Sequence, residues 1–242
     1  MPRHAGEVQN DDDALLQVCG SEQMASKVRV LWTEMMEKQK LDVSDQGLNN
    51  DTVQKLIKGL HMMSKITGYS TERTKPFPIK ELDFSRNEIG KEGIGAVVQF
   101  ARTQGSDATR VDLSRNKLDD AACQEEVTRL VKNYSTFASN AFISTLIVSG
   151  NQIGRAGATK LIQYAHWERD RFKTDAHPPP PLHLDLSDNC IIEPQGLLDE
   201  LKGKRIKLSN SAEDADATVI LPNFTEQRSA PPPPPDNGGK GK

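Results

Sequence analysis

The stretch "LHLDLSDNCI", residues 182–191, alternates apolar and outward-pointing residues and then places an Asn shortly after the last apolar residue. Leu184 and Leu186 form the apolar pair, and Asn189 follows three residues after the second of them. The same pattern occurs in "KELDFSRNEI" (80–89), "TRVDLSRNKL" (109–118) and "STLIVSGNQI" (144–153). Repetition of one short string at intervals predicts a fold built from stacked copies of one structural unit.

Two further copies of this pattern are incomplete. One begins at Leu41 and has Gln46 in place of the Asn, and the other begins at Ile206 and has Ser211 there. Alternation over three or four residues predicts a short strand with one buried face, and apolar residues recur at helical spacing between the copies. One strand and one helix cannot bury their apolar faces alone. The copies are therefore predicted to stack into an α/β solenoid with about six parallel strands on its concave side and helices outside.

The copies resemble leucine-rich repeats, specifically the long subtype found in ribonuclease inhibitor and the Ran GTPase-activating protein. The resemblance covers roughly residues 41–210 and implies the solenoid architecture. The Asn of each copy is predicted to be structural, because its amide can satisfy backbone groups where the chain leaves each strand. Six serines in register, two residues before the Asn position, are interpreted as a hydroxyl ladder, since no His accompanies them regularly.

Composition sets limits on the function. The 242 residues carry 31 Lys and Arg against 34 Asp and Glu, a net charge of −3, which is not typical of a nucleic-acid-binding domain. No apolar run is long enough to span a membrane, and the N-terminus has no apolar segment typical of a secretory signal. Three scattered Cys do not suggest disulfides or zinc, so we expect a reducing compartment, the cytoplasm or the nucleus. No cofactor is predicted.

The chain divides into four predicted regions, which are a capping helix region (1–40), the repeats (41–210), a C-terminal cap (211–229) and a tail (230–242). Residues 12–40 are interpreted as one helix whose N-terminal end carries three Asp. The segment "TVILPNF" (218–224) is predicted to pair beside the last copy and close the sheet edge. The tail, "APPPPPDNGGKGK", has a composition typical of disorder or polyproline II, and we expect either a ligand for a polyproline-reading domain or a solubilising segment.

Three insertions lengthen the copies between helix and next strand, at residues 67–78, 133–142 and 166–181. Because they leave the solenoid at the same edge, they are predicted to cluster in space. The third carries the candidate partner-binding residues Trp167, Arg169, Arg171 and Phe172, and the first adds Arg73 and Lys75. Together they predict a basic surface with aromatic anchors that binds a protein partner with an acidic surface. Tolerated surface loops are the alternative.

A second candidate surface is the concave face, where one strand position carries an acidic row made of Asp42, Asp83, Asp112 and Asp185. Neighbouring carboxylates on parallel strands repel one another, and a basic partner would relieve that repulsion. Catalytic motifs are absent from the sequence: it has no phosphate-binding G-x-x-x-x-G-K-[ST] loop and no G-x-S-x-G elbow. We therefore predict a non-enzymatic scaffold or adaptor in a larger assembly. The alternative that the resemblance implies is a GTPase regulator, with Arg86 and Arg115 at the strand exits reaching a partner.

Overall fold

The chain folds as a row of strands on one side and a row of helices on the other. The computed structural model describes residues 5–69, 78–103, 108–132, 142–172, 179–214 and 216–228. The strands in this part of the chain are β1 (Lys40–Asp42), β2 (Glu81–Asp83), β3 (Arg110–Asp112), β4 (Thr145–Ile147), β5 (Leu182–Asp185), β6 (Leu208–Ser209) and β7 (Val219–Ile220). The helices are α1 (Ala5–Cys19), α2 (Glu22–Lys38), α3 (Asn50–Ile66), α4 (Lys91–Thr103), α5 (Asp120–Ala122), α6 (Thr128–Val131), α7 (Arg155–Asp170) and α8 (Pro194–Gly203), with a π-helical turn (Cys123–Val127) joining α5 to α6.

The strands form one parallel sheet with the order β1-β2-β3-β4-β5-β7-β6. Its register aligns the copies as the sequence pattern predicts, with Leu82 opposite Val111 and Val111 opposite Leu146. These apolar strand residues point to the helices and are buried, while the residues between them face the other side. The predicted α/β solenoid is confirmed.

The N-terminal cap consists of two helices, whereas the sequence was interpreted as one. The chain breaks at Gly20, which has a left-handed φ of +76°, and Ser21 then caps α2 by accepting a hydrogen bond from the Met24 N–H at 3.2 Å. The three Asp of residues 11–13 therefore lie inside α1 and not at a helix start. The inner face of α2 is buried as its spacing predicts, and it covers the first repeat.

A ladder of buried Asn side chains joins each copy to the copy before it. The Nδ2 of Asn151 donates to the carbonyl of Leu113 in the preceding copy at 3.0 Å and to two carbonyls of its own copy. Its Oδ1 accepts from the backbone N–H of Asn116 and of Leu118 at 3.1 Å each. The same arrangement recurs at three other copies, those of Asn87, Asn116 and Asn189. The structural role predicted for this Asn is confirmed.

The degenerate first copy has no member of this ladder. Gln46 is exposed, and its backbone N–H donates to the Oδ1 of Asn87 in the next copy. The first turn is therefore satisfied from the copy that follows it.

The helix starts are joined by a second set of contacts between copies. Asn50, at the start of α3, accepts hydrogen bonds from Gly90 and Gly93 of the next copy, and Asp120 accepts from the corresponding Gly154 and Gly157. A Cβ on Gly93 would lie 2.7 Å from the Asn50 Oδ1, too close for any side chain. Close approach, and not an unusual φ, explains the glycine at that position.

The C-terminal end departs from the sequence prediction. The truncated copy at Ile206 was expected to extend the sheet from β5, but β7 pairs with β5 on one side and with β6 on the other. The segment "TVILPNF" therefore pairs beside residues 206–208 as predicted, yet it lies inside the sheet and leaves β6 at the edge. The sheet consequently continues to Ile220, within the segment interpreted as a cap.

Two side chains fasten this last strand to the repeats. Gln227 takes the place of the next ladder Asn, because its Nε2 donates to the Leu186 carbonyl at 3.1 Å and its Oε1 accepts from the Asn189 N–H. His166 of α7 lies 2.7 Å from the hydroxyl of Thr218. That hydroxyl donates its only proton to the Lys207 carbonyl, so the Nδ1 of His166 is the donor. Burial lowers the pKa of His166 and so favours its neutral form, in which this contact fixes the proton on Nδ1.

Loss of a central ladder side chain should destabilise the whole repeat array. Asn151→Ala leaves buried carbonyls and N–H groups in two copies without their partner. We expect a loss of roughly 3 kcal/mol in the free energy of unfolding, measured by urea denaturation. Gln46→Ala is the matched control, because this exposed side chain lies outside the ladder, and it should change stability by less than about 0.5 kcal/mol. Equal effects of the two substitutions would contradict the role of the ladder.

Candidate partner-binding surface

The third insertion begins as helix, because α7 continues through "HWERD" to Asp170. Trp167 lies near the end of this helix with 51% of its surface exposed. One turn earlier, the Tyr164 ring lies 5.6 Å from the Trp167 ring, centroid to centroid, in an edge-to-face arrangement. An exposed Trp held by a second aromatic ring is a rigid apolar platform of the kind found at the centre of protein interfaces.

Cations surround this aromatic pair. The Nζ of Lys132 lies 4.7 Å from the Tyr164 ring centroid, and the Nζ of Lys160 lies 5.0 Å from it. Neither lysine has an ion pair among the residues that the structure describes. Lys160, Tyr164, Trp167 and Arg171 follow one another at helical spacing, so they share one face of α7. We call these four residues together with Lys132 the α7 patch.

Arg171 lies beyond the end of the helix with its side chain about half exposed. It forms an ion pair with Glu168 at 3.0 Å, and its guanidinium lies 4.5 Å from the Phe172 ring centroid. Phe172 is in turn in edge contact with Phe142, at 5.8 Å between centroids. The bases of the second and third insertions therefore meet in space, as predicted. Arg73 and Lys75 of the first insertion lie outside the described residues, so their place beside this surface stays a prediction.

Arg169 requires a correction, because the sequence placed it on the surface with its neighbours. Its side chain is buried, with 3% exposed, and it donates to the carbonyls of Ile143 at 2.7 Å and Pro180 at 3.1 Å. Burial lowers the pKa of Arg169 to about 10, so the group is still charged at neutral pH. Two residues after Trp167 on a helix, it points away from the exposed face. Arg169 therefore holds the chain segments before β4 and β5 and does not lie on the outer surface.

Three members of the α7 patch were not identified from the sequence. Lys160 and Tyr164 precede Trp167 by seven and three residues, a spacing that predicts one helical face once the helix is known to continue this far. Lys132 comes from the preceding copy, and its approach to Tyr164 depends on how neighbouring helices pack. The sequence therefore contains a signal for Lys160 and Tyr164, which is their helical spacing, and none for Lys132.

The acidic row on the concave face is mainly occupied by contacts within each copy. The Oδ1 of Asp83 accepts from the backbone N–H of Ser85 at 3.1 Å and from its hydroxyl at 2.8 Å. The same pair of bonds occurs in the copies of Asp42, Asp112 and Asp185. These serines therefore donate to carboxylates within their own copies, and the ladder between hydroxyls predicted from the sequence is not what forms.

A cation of the same chain reduces the repulsion at one end of this row. The Nζ of Lys40 lies 2.9 Å from Asp42 and 3.7 Å from Asp83. Burial opposes ionisation of Asp42, but hydrogen bonds from Lys40 and Ser44 outweigh it and lower the pKa of this carboxyl group. A basic partner is therefore not needed to stabilise this end of the row.

Arg86 and Arg115 lie side by side at the ends of neighbouring strands. Both are exposed and have left-handed φ values of 55° and 53°. Their backbone N–H groups continue the parallel ladder by donating to Ser114 and Ser149, so their main chain is fixed. Within the part of the chain that the structure describes, no carboxylate pairs with either guanidinium.

The described residues contain neither a metal-binding cluster nor a membrane-spanning helix. Among the described residues, no group of three or more His, Cys, Asp or Glu is arranged to hold a metal ion. No described helix is long and apolar enough to cross a membrane.

Comparison with protein families identifies the repeat. A family model described as "Leucine Rich repeat" matches residues 76–98, 139–161 and 182–198, which contain β2, β4 and β5 with their ladder Asn side chains. Three of the copies thus match the leucine-rich repeat. Such repeats commonly act as protein-interaction modules. No curated protein matches the chain.

The two arginines of the third insertion should respond differently to charge reversal. Arg169→Glu replaces a buried cation with a carboxylate that faces carbonyl oxygens, and we expect the free energy of unfolding to fall by roughly 3–5 kcal/mol. Arg171→Glu, two residues away, changes the half-exposed member of an ion pair with the buried Glu168 and should cost less, about 1–2 kcal/mol, because water reaches the Arg171 side. Thermal and urea denaturation of the two variants measure the difference. Similar losses would show that Arg169 is not the internal clamp described above.

Proposed function

We propose that this protein is a non-enzymatic interaction scaffold or adaptor that works as a subunit of a larger assembly. Its partner is a protein with an acidic surface, and the α7 patch is the contact site. The observation that supports this most directly is the half-exposed Trp167, which lies against Tyr164, whose ring is in turn contacted by Lys132 and Lys160.

The chemistry of the α7 patch favours an acidic protein surface. Trp and Tyr offer a large rigid contact area, and burying Trp167 at an interface would remove a costly exposed aromatic surface from water. The two lysines over the Tyr164 ring would accelerate encounter with an acidic partner and disfavour basic ones. The slightly acidic chain as a whole makes a nucleic-acid partner a poorer match.

The repeat subtype and the cellular setting belong to the same proposal. Copies of 29 to 41 residues, most of them with a full helix, favour the long subtype of ribonuclease inhibitor and the Ran GTPase-activating protein. We place the protein in the cytoplasm or the nucleus, in keeping with three unpaired cysteines. The proline-rich tail, residues 230–242, would offer a separate ligand to a polyproline-reading domain.

The partner-binding role of the α7 patch can be tested by changing its centre and its charge. Trp167→Ala and Lys160→Glu should each weaken the partner complex by about 2 kcal/mol, roughly 30-fold in Kd, because they remove the aromatic anchor or reverse a cation. Each variant and the wild type are used to capture proteins from a lysate of the native cell. The captured proteins are then compared by quantitative mass spectrometry. The affinity of each differing protein is then measured with purified components.

Matched controls for this test lie elsewhere on the surface. Ile192→Ala removes an apolar side chain that is 64% exposed, and Lys202→Glu reverses an exposed cation on α8. Both should retain the same proteins as the wild type. If all four variants retain the same proteins with the same affinity, the α7 patch is not the contact site.

A GTPase regulator is the second candidate function. The observation that favours it is the exposed pair Arg86 and Arg115, because an arginine supplied to a GTPase site can stabilise charge that develops during phosphoryl transfer. Purified protein is assayed for acceleration of GTP hydrolysis against a panel of small GTPases. Acceleration that is lost in Arg86→Ala or Arg115→Ala would replace the scaffold proposal, and no acceleration by the wild type would exclude this candidate for the panel tested.

A further inference from the structure

One copy of the repeat departs from its neighbours at two of its three outward strand positions and at the residue that follows them. In the fourth copy these positions hold Thr145, Ile147 and Ser149, followed by Gly150. The complete copies on either side hold Asp where the fourth holds Ile147, and a charged residue where it holds Gly150. Among strands β1 to β5, the concave face therefore carries one uncharged column, with an apolar residue at its centre.

The sheet register places charged columns directly beside this one. Ile147 pairs with Asp112 of β3 on one side and with Asp185 of β5 on the other. Strands in a sheet are about 4.8 Å apart, so the two carboxylates lie about 10 Å from each other across the Ile147 side chain. The order carboxylate, apolar side chain, carboxylate is thus fixed by backbone pairing and does not depend on loop conformation.

The flanking aspartates are each held in place through one of their two carboxylate oxygens. In Asp112 and Asp185 the Oδ1 accepts two hydrogen bonds from the serine two residues later, which fixes the side chain. Arg110 approaches the second oxygen of Asp112 only to 3.9 Å. In the described part of the chain no cation pairs with Asp185. A positively charged group of a ligand can therefore reach Asp185 directly, and it can reach Asp112 through the Oδ2 atom.

We infer that this column is a docking site for an extended segment of a partner protein that carries an apolar residue between two basic ones. In an extended segment that crosses the strands, side chains two residues apart point to the same face, with about 6.6 Å between them. The central apolar side chain would lie on Ile147, and the long flanking Lys or Arg side chains would reach Asp112 and Asp185. The Arg115 side chain closes one end of the column, because a Cβ on Gly150 would lie 2.9 Å from the Arg115 Cγ.

This site differs from the α7 patch in position and in chemistry. It lies on the strand side of the solenoid, whereas the patch lies on a helix, and it favours basic ligands where the patch favours acidic ones. The inference does not rest on the proposed role of the α7 patch. If the role of the α7 patch is disproved, the Ile147 site is unaffected, and the reverse also holds.

The repeat itself supplies a substitution that removes the site without disturbing the fold. Ile147→Asp gives the fourth copy the same residue as its neighbours, and Ser149 already stands two residues later to donate to the new carboxylate. The apolar anchor is lost, and a third carboxylate joins the pair. The same substitution at the exposed Ile192, far from this column in the sheet, is the matched control. Ile147→Thr removes the anchor without adding charge and serves if Ile147→Asp does not fold.

The probes are three short fluorescent peptides with serine spacers, and their affinities for the full chain are measured by fluorescence anisotropy. The first has the pattern Arg-Ser-Leu-Ser-Arg, the second replaces Leu with Gly, and the third replaces both Arg with Glu. The first should bind the wild type and Ile192→Asp equally, and Ile147→Thr at least about 10-fold more weakly. The second and third should bind the wild type at least about 10-fold more weakly than the first.

Three results would overturn the inference. Absence of binding of the first peptide to the wild type would show that the column does not accept this class of ligand. Equal affinity of the first and second peptides would show attraction by charge alone. Unchanged affinity of the first peptide for both folded Ile147 variants would place its binding elsewhere. Binding by Trp167→Ala should equal that of the wild type, which separates this site from the α7 patch.

Discussion

The buried side-chain amide that follows each strand is the contact on which the solenoid depends. A turn that leaves a strand and enters a helix exposes backbone N–H and carbonyl groups, and burying them without partners costs about 1–3 kcal/mol each. One Asn offers both a donor group and an acceptor, so a single side chain satisfies groups of its own turn and of the turn before it. Apolar stacking alone would not select this spacing. The amide fixes the distance between copies and thereby the register of every outward residue.

The sequence contains enough information for the repeats but not for the ends. The four complete copies could be predicted because the apolar pair and the Asn keep one spacing, and each buried position is dictated by that spacing. The position of β7 between β5 and β6 could not be predicted, because two residues give no periodic signal and the ladder residue that follows them is Gln227, not Asn. Pairing with β5 is decided by tertiary contacts, among them that of His166 with Thr218.

The candidate site was predictable in its centre and not in its details. A Trp among charged residues is visible in the sequence, and Trp167 is indeed exposed. Composition cannot tell which charges share its face, because that depends on where the helix ends. Since α7 continues to Asp170, Arg169 turns inward to bind the carbonyls of Ile143 and Pro180, while Lys160 turns outward. The local sequence shows which charged residues are present, and the phase of the helix determines which of them are buried and which are exposed.

The direction of the amide ladder also orders the growth of the fold. Each Asn completes the turn of the copy before it, so a turn remains unfinished until the next strand has been synthesised. The chain emerges from the ribosome N-terminus first, so the last turn synthesised would lack the hydrogen bonds of the next Asn. Each new copy would supply those bonds and would leave its own turn without them. Gln227 ends this succession, because it closes the turn of Asn189 from the last described segment of the chain. Truncation just before Gln227 would leave a permanently open end.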